Sequence, residues 1–473
     1  MAYTTIDDPS EFFHTRLYSG TGSALSITNN ANSGNFQADW IWLKSRNNAT
    51  NHNVFDSSRG ETKRLYPNTN DPEDTVSGFT LDSNGFSTGT SSVGDINVSG
   101  KTYVAWQWKA GGTAPTKTYK VVVVSDSGNK YRFRNSADSA TFAQSAVTLD
   151  LQEGGTYVFD WSDSTAQGHP IRFSTTSDGT HGGGSEYTTG VVKDDSAYKT
   201  TITVSASAPT LYYYCSNHSG MGGQVNTNST HGQTNFDGDI LSVSQTNTTA
   251  GFSILTYTGN GNGSDQTVGH GLGAECKAVF QKMRTDSGQS WRVFHESASQ
   301  SGGGNLFLNG TSALDTGDPA RIKSTNTSTF TLLAYTSPYN AVNASGKDYL
   351  AYCFAEKKGY SKFGSYTGNG NSDGTFIYTG FKPAWLMVKK SAGNARAWVI
   401  HDNTQDPINP TANRLDANTT EANQSSGHFD FLSNGFKCRS TEAATNQDTH
   451  TFVYFAFAEH PFVSSKGVPV TAR

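Results

Sequence analysis

The feature that most limits how this chain can fold is an internal repeat. Tyr257-Thr-Gly-Asn-Gly returns as Tyr366-Thr-Gly-Asn-Gly, a spacing of roughly a hundred residues. Lys277-Ala-Val-Phe-Gln-Lys-Met-Arg284 answers Trp385-Leu-Met-Val-Lys-Lys390, and both answer Asp39-Trp-Ile-Trp-Leu-Lys-Ser-Arg46. Ser83-Asn-Gly-Phe86 matches Ser433-Asn-Gly-Phe436. Tyr103-Val-Ala-Trp-Gln-Trp-Lys109 corresponds to the closing runs Tyr349–Glu356 and Phe452–Glu459. Three copies of one module result, each made of short alternating segments with little that reads as helix. Such segments close over one core as an all-β sandwich of jelly-roll type. The unit is too long for a solenoid repeat, so each copy is expected to have a core of its own.

The composition agrees. Of 473 residues, 49 are Gly and 12% are aromatic, and turn-forming residues crowd the gaps between apolar runs. Thirty-five basic side chains face 40 acidic ones, for a net charge of -5. That balance argues against nucleic acid as a partner, because phosphate binding needs a basic face. The N-terminus has neither a basic nor an apolar leader region, and no apolar run reaches the roughly 18 residues of a membrane span. Membrane insertion is therefore not expected, and synthesis in the cytoplasm is. Cys215, Cys276, Cys353 and Cys438 are too scattered for a disulfide framework.

The expected layout is an anchoring segment (1–14), module 1 (15–112), a different block (113–232), a linker with module 2 (233–359) and module 3 (360–473). The different block carries the most specific chemistry. Leu211-Tyr-Tyr-Tyr-Cys-Ser-Asn-His-Ser-Gly-Met-Gly-Gly runs from a β-favouring strand into Cys215, His218 and Met221, and Gly168-His169-Pro170 lies upstream. A thiolate, two imidazoles and a thioether are a soft ligand set that favours copper, with zinc or no metal as the alternatives. Three ligands on one short loop fix their mutual geometry locally. The fourth, from another strand, is expected to join the two sheets of the sandwich.

This block resembles the cupredoxin family, the small blue-copper proteins with a short ligand loop. The resemblance implies a Greek-key sandwich, with His169 and His218 as imidazole ligands, Cys215 as the thiolate and Met221 as the weak axial ligand. A structural clip is preferred over electron transfer as the use of the metal, because metal affinity adds to folding free energy.

Elsewhere the chemistry is sparse. Trp40, Trp42, Trp106, Trp108, Trp291, Trp385 and Trp398 could stack on sugars or fill the core. His270, His295 and His401 are tempting, but His295 and His401 sit at comparable repeat positions, which points to a shared structural role. There is no Gly-x-Ser-x-Gly elbow, no His-Glu-x-x-His and no phosphate loop, so no catalytic residue is assigned and the chain is not expected to be an enzyme.

The repeats, with Gly269-His-Gly-Leu-Gly273 and the closing Ala-Phe-Ala-Glu-x-Pro-Phe462, are similar to those of tail-fibre and tail-associated proteins of marine bacteriophages. The resemblance implies concanavalin A-like sandwiches, a place in the virion at the tail or capsid surface, assembly as a homotrimer with other virion proteins, and attachment to host-surface glycans or another envelope component without turnover. The alternatives are a capsid-decorating or fibre-linking protein and a polysaccharide depolymerase spike.

Overall fold

The computed structural model describes residues 3–32, 34–90, 95–111, 114–228, 232–299, 303–335 and 341–470. Residues 1–2 and the expected boundary at 112–113 lie outside these. The chain is all-β, with eight sheets among the described residues. Each repeat forms a large sheet covered by a three-stranded one. The large sheets are six-stranded in module 1, seven-stranded in module 2 and five-stranded in module 3. The block between modules 1 and 2 forms its own sandwich from a five-stranded and a four-stranded sheet.

The central strands of the large sheets, Trp40–Ser45, Cys276–Met283 and Phe381–Lys390, are buried along nearly their whole length. Alternate side chains of a strand face opposite sides, so one set fills the module's own sandwich. Ile41, Leu43, Phe55 and Phe86 form that core in module 1. The other set meets the neighbouring modules. Trp40, Trp42, Trp106 and Trp108 join Phe280, Tyr352, Phe354, Trp385, Phe455 and Phe457 in a single cluster drawn from all three copies. The expectation of a separate core per module is half the picture; a second core is shared where the three large sheets face one another.

This shared core corrects the sugar-stacking alternative for the tryptophans. All seven are at most 2% exposed. Trp40 stacks on Trp108 at 4.3 Å and on Tyr352 of module 2 at 4.4 Å, while Trp108 meets Trp385 of module 3 edge-on. In module 2 the strand begins with a bulge between Cys276 and Ala278. Ala278 then takes the place held by Trp40 and Trp385, opposite Phe354, Trp108 and Phe457 respectively.

Polar contacts around this core run cyclically. Trp291 of module 2 donates to the Tyr66 carbonyl of module 1, and Trp398 of module 3 donates to the Phe307 carbonyl of module 2. His52 of module 1 lies 3.0 Å from the Asp416 carbonyl of module 3 and closes the ring. Lys44, Lys282 and Lys389 occupy one equivalent position and are each at most 1% exposed. Lys44 donates to Thr420 of module 3, and Lys389 donates to Thr311 of module 2. Burial pushes all three ammonium groups down, to about 8, about 8 and about 7.

Register also corrects the pairing of the two histidines. Asp56, His295 and Asp402 sit opposite the equivalent residues Trp40, Ala278 and Trp385. His401 is one residue earlier and corresponds to Phe55 and Phe294. Each of the three equivalent polar groups reaches the next module. Asp56 accepts from the Tyr352 hydroxyl, Asp402 accepts from Trp106 Nε1, and His295 Nε2 is 3.1 Å from the Tyr454 carbonyl.

The remaining segments lock the pieces together. Thr4 donates to the Lys358 carbonyl, Ile6 enters the shared core, and Phe13 begins a strand, Phe13–Ser19. The segment after the inserted sandwich contributes two strands, Gln233–Asn235 and Ser242–Asn247, to the large sheet of module 2.

Candidate metal centre

The ligand end of the inserted sandwich is built on two neighbouring strands. Cys215 closes the strand Leu211–Cys215, whose aromatic and apolar run favours extended backbone and buries Leu211, Tyr213 and Tyr214. It sits directly opposite Ile171, the first residue of Ile171–Ser174. His169 lies just before that strand, and the loop after Cys215 carries His218 and Met221. Both ligand segments therefore belong to the four-stranded sheet, which corrects the expectation that the ligands themselves join the two sheets. Tyr131, on the facing five-stranded sheet, makes that connection. Its hydroxyl donates to the His169 carbonyl at 2.7 Å, and its backbone N–H donates to the Met221 carbonyl at 3.0 Å.

Three of the four expected ligands converge. Cys215 Sγ lies 3.7 Å from His169 Nδ1 and 3.7 Å from His218 Nδ1. The three donor atoms lie within 4.8 Å of one another, and they form the one such cluster of His, Cys, Asp or Glu among the described residues. The imidazole centroids are 4.5 Å apart. A metal about 2.3 Å from a thiolate and about 2.0 Å from an imidazole nitrogen holds the two donors roughly 3.5–3.7 Å apart at angles of about 110–120°. The observed spacing fits a shared ion.

Burial is graded across the set. Cys215 and Met221 are fully buried in the core of the inserted sandwich, His169 is intermediate and His218 is exposed. Burial, and then the nearby His218, hold the His169 imidazole below the ordinary histidine value, which favours the neutral ring that a metal needs.

The loop is braced by hydrogen bonds despite its Gly and Ser content. Ser216 N–H donates to the Pro170 carbonyl, Asn217 Nδ2 donates to the Gly168 carbonyl, and Gly220 N–H donates to Asp178 Oδ1 at 2.8 Å. His181 Nε2 lies 3.0 Å from the Cys215 carbonyl. A Cβ on Gly222 would fall 1.7 Å from the Tyr213 carbonyl oxygen, so the close return of the chain after Met221 requires glycine there. His181, Tyr131 and Asp178 are the supporting residues that sequence reading missed; only the Gly-rich run around His181 hinted at a loop packed near the ligands.

His270 Nε2 lies 3.1 Å from the Asn326 carbonyl, and its Nδ1 accepts from Leu272 N–H. A further repeated device was not foreseen. Asn97, Asn343 and Asn446 are all buried, and each accepts at Oδ1 from a backbone N–H of the repeated Gly-rich loop, at Thr21, Asn260 and Asn369.

No curated protein and no solved structure matches the chain. A family model described as a domain of unknown function (DUF7483) matches residues 8–141 and 225–461. The matched residues cover the three modules and leave out 142–224, the stretch that holds His169, Cys215, His218 and Met221. With most of its length matched, the chain belongs to the DUF7483 family.

Proposed function

We propose that the chain is a non-catalytic attachment protein of a bacteriophage particle, and that a soft metal ion clips its inserted, cupredoxin-like sandwich. His169, Cys215 and His218 would hold the ion, with Met221 as the weak fourth ligand, and copper is the metal that this donor set favours. The observation that carries the metal is the placement of Cys215 Sγ 3.7 Å from Nδ1 of both histidines. When bound, the ion supplies a cross-link between two ligand segments 46 positions apart. Tyr131 orients both segments, Gly222 lets the loop close, and the buried Cys215 keeps its sulfur away from solvent.

Attachment is supported by the body that carries this sandwich. Three sandwiches share one aromatic core, and a rigid scaffold of this kind holds surface loops in fixed places for recognition. The resemblance of the repeats to tail proteins supports host-surface glycans or another envelope component as what those loops would meet. Binding by many weak contacts, multiplied over chains in the particle, suits a polar surface of low charge. Assembly as a homotrimer would add a threefold arrangement to the one inside each chain; a single-chain mass by light scattering would remove it.

The metal is tested by adding copper(II) to the purified chain and to Cys215→Ser, then measuring metal content, visible absorption and melting temperature. One equivalent of copper, a strong thiolate-to-copper band and a raised melting temperature are expected for the parent only. Retained zinc without such a band would replace copper by zinc, and no retained metal would sink the clip. Antibody labelling of intact particles tests the rest. Signal at the tail is expected, and signal over the head would favour capsid decoration. New reducing ends in host polysaccharide would favour a depolymerase.

A further inference from the structure

We infer that the cleft between the inserted sandwich and module 2 is a binding site for an uncharged oligosaccharide; the ligand class rests on the attachment function proposed above. Two adjoining cavities, of about 680 and 440 Å³, run along this junction and share Gln144, Asp239 and Asn260. Either lies in the size range of small-ligand sites. One wall is the loop 135–144 of the inserted sandwich. The other is made by three loops of module 2, around Asp239, Asn262 and Thr327.

The walls are held in place before any ligand arrives. Asn135 Oδ1 accepts from the Ser139 and Ala140 N–H groups, and Asn326 Oδ1 accepts from those of Ser328 and Thr329. Asn262 Oδ1 accepts from Ser264 N–H. The two walls are also fixed to each other. Phe236 stacks on Phe133 at 4.8 Å inside the inserted sandwich, while Ile240, one short strap later, is buried in the core of module 2. Ser136 N–H donates across the junction to Asp237 Oδ1 at 2.7 Å. Loops ordered in advance lower the entropic cost of binding.

The lining selects the ligand. Amides, hydroxyls and carboxylates converge on the larger cavity, which suits the hydroxyl groups of a sugar. The charged residues of the larger cavity are Asp237 and Asp239, and the Arg284 of the smaller one is already paired with Glu73. Acidic sugars and phosphates would meet repulsion there. Module 3 repeats the Asn260 loop at Asn369, but the inserted sandwich supplies its opposite wall at module 2.

The test uses the full chain, a panel of short neutral oligosaccharides of glucose, galactose, mannose and N-acetylglucosamine, and a matched acidic panel, all by titration calorimetry. Thr141→Trp and Thr327→Trp place bulk on each wall at exposed positions; Tyr378→Ala alters an exposed aromatic of module 3. A neutral glycan is expected to bind the parent and Tyr378→Ala alike. Each wall variant is expected to lose at least about tenfold in affinity with an unchanged melting temperature. Equal binding by the wall variants, or binding of acidic glycans alone, would overturn the cleft. Labelled protein on host cells separates the two ideas. Cell binding that survives Thr141→Trp removes the cleft and leaves attachment standing. A parent that binds the neutral panel but no cells does the reverse, and a parent that binds neither removes both.

Discussion

The three repeated sandwiches and the inserted one hold their key residues by opposite means. In the repeats, the residues that matter most are far apart in the chain and meet only when three sheets close on one another. Trp40, Tyr352 and Phe457 lie far apart in the chain and share one cluster. In the inserted sandwich, Cys215, His218 and Met221 follow one another on a single loop, and one neighbouring strand brings in His169. The first arrangement makes stability a property of the whole body. The second makes a site that local sequence largely builds, with Tyr131 and His181 adjusting it. The family match includes the repeats and the first two strands of the inserted sandwich, and it skips 142–224, where the candidate ligands lie.

The strongest way to break this comparison is to empty the shared core. Trp108 touches Trp40, Phe13, Trp385 and Phe457. Trp108→Ala should cost about 3–5 kcal/mol and shift one cooperative urea transition of all three modules. Copper binding by the inserted sandwich should persist below that transition. Separate transitions for the modules in the parent chain would show that the shared core does not couple them.

Acid sharpens the contrast next. Burial pushes His295 down to about 4 and His401 down to about 3. Below about pH 6.5 the unfolded chain takes up protons that the folded chain refuses. Stability is therefore full above about 6.5 and falls as the pH drops towards these values, by an amount on the order of 3 kcal/mol for His295 between 6.5 and 4. Urea midpoints at pH 7 and pH 4.5 measure it. His295→Gln should reduce the difference and leave the part due to His401, and an unchanged pH slope would remove His295 as a source.

The smallest effect concerns the repeated asparagines. Asn446 donates to Asn369 Oδ1, the Asn371 carbonyl and the Ser440 carbonyl. Asn446→Ala should cost about 1–3 kcal/mol, with faster amide exchange confined to the Gly-rich loop of module 3. Faster exchange throughout the body would mean that these loops are part of the shared core's cooperativity.

Much of the architecture was legible because it is local or periodic. The Trp pairs at period two marked strands with a demanding face, and the landmarks marked three copies. What that face meets was not legible. A Trp that stacks on sugar and a Trp that stacks on another module look alike in sequence, and only the partner sheet distinguishes them. The histidine pairing failed for a related reason: aligning His295 with His401 by the letter ignores register, and one step along a strand reverses the face. The cluster of His169, Cys215 and His218 was legible because soft donors at close spacing are uncommon. The sheet that joins them was misplaced because strand order follows from pairing, which the ligand spacing does not encode.

By itself the sequence determined the β-class of the chain, its threefold repetition, the distinct block between the first two copies and the donor set His169, Cys215, His218 and Met221. These follow from alternation, repetition and side-chain chemistry, all carried by neighbouring residues. The tertiary structure decided that the tryptophans are core, that polar groups link the modules in a ring, that three of the donors converge within 4.8 Å, and that a cleft opens beside module 2. Each of these depends on which distant faces come into contact, because burial and packing are settled between elements rather than within them.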